Sequence, residues 1–156
     1  MKKSKSPRVR LDVILKDGES ESKIMRESLS LNNLLSTENS INSTPKYNQI
    51  GLNYYNKGEY DKAIESFQKA LHSEGESASV HYNLGLAYQA KGILDEAARE
   101  YKRSLELNPS DAEAHNNLGI IYYTLGKNDK AITEFREAVR INPDFELARK
   151  NLEKIS

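Results

Sequence analysis

A single interval of 34 residues recurs down this chain and constrains its fold more than any other property. Gly51, Gly85 and Gly119 fall at it, as do Tyr54, Tyr88 and Tyr122, and then Gly58, Gly92 and Gly126. The register persists through Ala63, Ala97 and Ala131, through Phe67, Tyr101 and Phe135, and through Leu71, Leu105 and Val139. Self-similarity of this length marks a supersecondary unit that cannot bury its apolar face alone, so neighbouring units must stack to complete a core. Apolar residues recur at spacings of three and four on both sides of the second glycine, which predicts two amphipathic helices per unit. Gly58, Gly92 and Gly126 read as the stops, because glycine just past a helix takes left-handed backbone without steric penalty.

The first glycine of each unit needs a different reason. Inside a helix it costs about 1 kcal/mol relative to Ala, and something must offset that cost three times. Close helix contact is the physical candidate: Gly51, Gly85 and Gly119 admit a partner helix, the small Ala63, Ala97 and Ala131 face them, and Tyr54 and Phe67 fill the space beside the contact. Thr44-Pro45 and Asn108-Pro109-Ser110 read as entries to first helices, and Asp129 as a cap for the second helix of the third unit.

These residues resemble the tetratricopeptide repeat. The resemblance lies in Leu84-Gly85, Tyr88, Gly92, Ala97, Tyr101, Leu105 and Pro109, and again in Leu118-Gly119, Tyr122, Gly126, Ala131, Phe135, Ala138 and Pro143. The first unit matches through Ile50-Gly51, Tyr54, Gly58, Ala63, Phe67 and Ala70-Leu71, and departs at Gly75, where the others carry proline. The family's large aromatic near the start of the first helix is represented by Tyr47, His81 and His115. The implied fold is all-α, an α-α superhelix or solenoid of stacked antiparallel helix pairs, with repeats at 44–77, 78–111 and 112–145. Residues 146–156 then read as a capping helix with Leu147, Leu152 and Ile155 inward and Glu153 where the glycine would stand. Residues 1–43 differ in composition and read as a basic, largely disordered extension. Within it Ile24, Ser28, Leu31 and Leu35 share one helical face, so a helix over 21–36 that docks on the repeats is an alternative.

Composition excludes several functions. The 156 residues carry 23 Lys plus Arg and 23 Asp plus Glu, so no global field draws nucleic acid or anionic lipid. The basic residues Lys2, Lys3, Lys5, Arg8 and Arg10 leave a nucleic-acid or anionic-surface tether as a secondary reading. Without cysteine there is no disulfide, thiolate zinc site or cysteine nucleophile. No run of about 18 apolar residues provides for membrane insertion, and a cytoplasmic protein is expected. His81 and His115 occupy equivalent positions on helices stacked about 8–10 Å apart, too far to share one metal, and read as aromatic packing. His72 reads as a surface cation at a helix C-terminus. Glu96, Glu100 and Glu106 read as solvated partners of Arg99, Lys102 and Arg103. No cofactor, metal site or catalytic constellation is expected, and the chain reads as non-enzymatic.

The resemblance further implies that first helices line a concave groove receiving an extended peptide. By repeat register the groove residues are Asn48, Gln49, Leu52, Tyr55 and Asn56, then Tyr82, Asn83, Leu86, Gln89 and Ala90, then Asn116, Asn117, Ile120, Tyr123 and Thr124. An Asn amide both donates and accepts, so it can pair with a peptide backbone irrespective of side chains. The aligned Asn83 and Asn117 are similar to the asparagine ladder of O-linked N-acetylglucosamine transferase; bonding between neighbouring repeats is the other reading. If they face a ligand, replacing both by Ala should weaken binding without loss of helicity. Relatives that grip chaperone C-terminal tails use a Lys and an Asn in the first unit, an Asn in the second, and a Lys and an Arg in the third; here only Asn83 matches, with Asn48, Leu52, Glu113 and Asn117 at the other positions, which argues against such tails. The expected partner is therefore another protein or peptide, with self-association through the N-terminal segment as the alternative.

Overall fold

A computed structural model describes residues 46–156. Among them the chain forms seven helices: α1 (Tyr47–Asn56), α2 (Tyr60–Glu74), α3 (Ala78–Ala90), α4 (Leu94–Leu107), α5 (Ala112–Thr124), α6 (Asn128–Ile141) and α7 (Glu146–Ile155). No strand occurs among the described residues. Each helix packs mainly on its sequence neighbours, most closely within the pairs α1/α2, α3/α4 and α5/α6. This is the stacked-hairpin solenoid that the interval predicts.

The breaks are where the glycines placed them. Gly58, Gly92 and Gly126 have φ of 74°, 74° and 72°, conformations in which a side chain is strained. The turn they make is the same three times: Gly58 N–H donates to the Tyr55 carbonyl at 2.9 Å and Glu59 N–H reaches back to Tyr54 at 2.9 Å, with the equivalent bonds at Gly92 and Gly126. Orphan carbonyls of the first helix are satisfied this way. Where proline is missing, Gly75 ends α2 at φ 87°.

The first-helix glycines sit against rings. A Cβ built on Gly51 would lie 2.5 Å from Phe67 Cδ1, on Gly85 2.7 Å from Tyr101 Cε1, and on Gly119 2.6 Å from Phe135 Cε1. The aromatic side chain of the second helix therefore occupies the notch itself, rather than the space beside it. Phe67, Tyr101 and Phe135 have no exposed surface, nor have Ala63, Ala97 and Ala131. Such contact explains why glycine persists within a helix despite its propensity.

Two local expectations are corrected. Asp129 is the second residue of α6 rather than its cap, because α6 begins one residue earlier, at Asn128; its charge still suits the positive end of the helix. The cap of α5 is Asp111, just past Asn108-Pro109-Ser110, and its side chain accepts from Glu113 and Ala114 N–H, each at 3.1 Å. In α7 the buried residues are Ala148 and Asn151, while Leu152 and Ile155 pack partly buried against the core and Leu147 is half-buried. The Thr44-Pro45 entry and the readings over 1–43 lie outside the described residues.

Candidate functional site

The inner row of the stack is built from α1, α3 and α5, and the structure places its expected groove residues in three groups. Leu52, Tyr55, Tyr82, Leu86 and Ile120 are buried. Gln49, Gln89, Tyr123 and Asn56 are half-buried, and Ala90 and Thr124 are exposed. Asn48, Asn83, Asn116 and Asn117 are buried too.

The asparagines are not open rungs of a ladder. Asn83 Nδ2 donates to Asn48 Oδ1 at 3.0 Å, Asn117 Nδ2 to the Tyr82 hydroxyl at 3.0 Å, and Asn151 Nδ2 to Asn116 Oδ1 at 2.8 Å. Each bond spans 35 residues, one more than the repeat, so each unit's amide reaches the preceding position of the unit before it. Asn116 Nδ2 adds a longer bond to Asn117 Oδ1 at 3.4 Å. The physical reason is burial, which leaves an amide free only at a cost of about 1–3 kcal/mol. The expected double alanine variant of Asn83 and Asn117 would therefore lose stability, and cannot serve as a clean binding test. Asn151 went unnoticed in the sequence, although it continues the 34-residue spacing of Asn83 and Asn117.

Two acceptors are left over. Asn56 Oδ1 and Asn83 Oδ1 are buried and have no hydrogen-bond partner. Buried polar atoms are nearly always satisfied, so two orphans on one face of α1 and α3 are informative. Nearby, Tyr101 crosses from α4, stacking edge-on to Tyr82 with ring centroids 5.7 Å apart and donating its hydroxyl to Gln89 Oε1 at 2.8 Å. Burial pushes the Tyr101 hydroxyl well above the ordinary tyrosine pKa, so it remains a neutral donor.

The histidines do more than pack. His81 is 6% exposed, with Nδ1 2.6 Å from Glu100 and Nε2 3.0 Å from Glu76, which Arg103 also bonds at 3.0 Å. His115 repeats the arrangement, with Nδ1 2.7 Å from Glu134 and Nε2 3.1 Å from the Pro109 carbonyl. Burial pulls both imidazoles down, but the carboxylate hydrogen bonds outweigh it and raise both pKa values above the ordinary histidine value. Glu100 is thereby corrected from a solvated partner of Arg or Lys to a histidine partner, whereas Glu96 and Glu106 do pair at the surface with Arg99 and Arg103. The signal was present: His81/Glu100 and His115/Glu134 recur together, and where Tyr47 replaces histidine, Ser66 replaces glutamate. His72 is exposed, in the last turn of α2. Among the described residues no group of three or more His, Asp or Glu side chains is arranged so that it could hold a metal ion, and no helix is long and apolar enough to cross a membrane.

Comparison with known proteins agrees with this architecture. A tetratricopeptide repeat family model matches residues 84–144, and a second, described as TPR repeat, matches 51–92. No curated protein matches the chain. Among solved structures, the second TPR domain of human RPAP3, in complex with an HSP70 peptide, superposes with a TM-score of 0.67 at 24% identity, over 70% of this chain and 92% of that one. MamA gives 0.68 at 24% identity, over 91% of this chain and 84% of its own. The Sgt2 TPR domain from Aspergillus fumigatus gives 0.66 at 21% identity, over 74% and 80%. Identities this low establish the fold alone. With three glycine-to-ring notches, the glycine turns between helices and two matching repeat models, the chain belongs to the tetratricopeptide repeat family.

Proposed function

We propose that the chain is a non-catalytic interaction module whose inner face, lined by α1, α3 and α5, holds an extended peptide segment of a partner. Tetratricopeptide domains are generally protein–protein interaction modules, and the RPAP3 domain above is bound to a peptide. The observation that carries the reading is the pair of buried, unsatisfied acceptors, Asn56 Oδ1 and Asn83 Oδ1, in adjacent repeats. A peptide in extended conformation presents backbone N–H donors along its length, and these are what such acceptors lack. Gln49, Gln89 and Tyr123, half-buried on the same helices, add polar and aromatic contact at the rim.

The chemistry of the ligand follows from the charges. Asn48 stands in the first turn of α1, and Glu113 and Asn117 stand in α5, where a tail-gripping domain would need cations, and Glu113 repels an acidic C-terminal carboxylate. The preferred ligand is apolar or basic, with few acidic side chains. Random peptides selected on the full chain provide the test. Their binding should fall about tenfold in Asn56→Ala, as expected for one lost hydrogen bond of roughly 1.4 kcal/mol, and should fall also in Tyr123→Ala, with thermal unfolding little changed. Unaltered binding to both variants would remove the inner face from consideration, and selection of peptides ending in acidic residues would refute the ligand class.

A further inference from the structure

The second repeat differs from its neighbours at two matched positions. Its notch ring is Tyr101, where the first and third repeats carry Phe67 and Phe135, and its inner helix has Gln89 where they have Tyr55 and Tyr123. All three notch rings are completely buried and sit against their glycines alike, so packing does not require a hydroxyl on one of them. A buried hydroxyl costs free energy unless it is hydrogen-bonded, and this one donates to Gln89 Oε1 at 2.8 Å. The extra oxygen and the glutamine occur in the same repeat, and they touch. That bond fixes an orientation as well as a distance. Burial keeps the phenol neutral, and the Asn117 amide meets the same hydroxyl as a donor, so the single hydroxyl hydrogen goes to Gln89, which turns its oxygen and not its NH2 towards Tyr101. Gln89 itself is half-buried in the last turn of α3, beside the exposed Ala90. With Oε1 engaged, the N–H groups of Nε2 are what it offers outward.

From this we infer that Gln89 is a specificity-determining donor of the inner face: its Nε2 binds an uncharged carbonyl oxygen of the ligand, and Tyr101 is the positioning residue that holds the amide in that orientation. This role rests on the inner face being a binding surface. The oxygen is uncharged because α1, α3 and α5 contain no lysine or arginine, and Glu113 is their one carboxylate. His81 and His115 are already engaged by Glu76, Glu100 and Glu134, so no free cation on these helices would compensate a desolvated carboxylate. Asn56 and Asn83 supply acceptors and Gln89 supplies a donor, so the face can pair with both polar groups of a peptide backbone. An amide pinned before the ligand arrives has less side-chain freedom left to lose on binding.

The probe is an uncharged peptide among those selected on the full chain. Gln89→Ala should weaken its binding about tenfold, as for one lost hydrogen bond. Gln89→Glu should weaken it at least as much, because the carboxylate keeps an acceptor for Tyr101 while opposing the ligand's oxygen. Tyr101→Phe installs the ring that the other two repeats carry, so the notch stays filled. It should weaken binding several-fold in the wild-type background and have no further effect in Gln89→Ala. A hydroxyl that is merely structural would lower affinity equally in both backgrounds, which would overturn the positioning role. Binding unchanged by Gln89→Ala, or tightened by Gln89→Glu, overturns the donor assignment. Changing each Asn or Gln of the peptide to Ala tells the source of the carbonyl: if the loss in Gln89→Ala disappears with one such change the oxygen is a side chain's, and if it persists through all of them it is the backbone's, either outcome supporting the donor. Weakened binding in Asn56→Ala and Tyr123→Ala with none in Gln89→Ala would sink this inference alone, whereas no loss in any of the three removes the inner face and this inference with it.

Discussion

The two helices of each repeat live in different environments. The outer helices α4 and α6 fully bury only Ala97, Ala98, Tyr101 and Ser104, or Ala131, Phe135 and Ala138, and leave the rest partly or fully exposed. There Arg99–Glu96, Arg103–Glu106 and Arg140–Glu137 form exposed pairs at i,i+3. The inner helices α3 and α5 have long unbroken buried runs. An outer helix needs one stripe, for its hairpin partner and the next unit, and its opposite half is free to be charged. An inner helix is buried nearly all the way round, so few of its positions are free to be charged.

Four substitutions or conditions put this contrast to the test. The largest effect is expected at the notch. Gly85→Val would push a side chain into the fully buried Tyr101 ring, and overpacking with an off-rotamer ring costs about 1–3 kcal/mol or more. Urea denaturation should show a loss at the upper end of that range; a loss below that range would mean that the ring yields and the notch is not what holds the hairpin. Asn117→Ala comes next, removing the bond to the Tyr82 hydroxyl and leaving a buried gap, for about 1–3 kcal/mol. Denaturation of Asn117→Ala indistinguishable from wild type would show that the 35-residue bonds are incidental.

A smaller effect is expected from pH. Because the folded His81 and His115 have raised pKa values, their contribution is complete below the ordinary histidine pKa of about 6.5. It is lost as pH rises through the folded values. Glu76, Glu100 and Arg103 face His81, and Glu134, Glu137 and the Pro109 carbonyl face His115. The melting temperature should therefore fall by a few degrees between mildly acidic and mildly alkaline pH, and the slope should flatten in a His81→Tyr, His115→Tyr variant. A slope unchanged by that variant would assign the effect to other groups. Smallest of all is Arg99→Ala, on the open side of α4, where an exposed pair contributes about 0–1 kcal/mol. A cost above that range would erase the distinction between the two kinds of helix.

Much of this was legible in the residues. Interval and glycine placement predicted the hairpins, the turn positions and the close contact at Gly51, Gly85 and Gly119, because backbone sterics act locally and repeat identically. Which way an amide faces is not local. Asn83 and Asn117 look alike as rungs in a one-dimensional alignment, yet their partners, Asn48 and Tyr82, differ in chemistry and sit one position out of register. Only the stagger between successive inner helices brings those positions together, and no spacing within a unit records it. The histidine pairs fall between these cases: their co-occurrence with glutamate was visible, but its meaning required knowing that residues 19 apart meet across a hairpin.

The one-residue offset of the asparagine bonds has a consequence for modularity. A unit excised along the 34-residue boundary takes with it a donor whose acceptor belongs to its predecessor, and an acceptor whose donor belongs to its successor. Repeats of this chain are thus not freely interchangeable bricks. The unit carrying Asn117 requires a hydroxyl or carbonyl before it, and the unit carrying Asn116 requires an amide after it, which α7 supplies through Asn151. Shuffling the order, or splicing in a foreign unit, should succeed only where this hand-to-hand chemistry is matched across the seam.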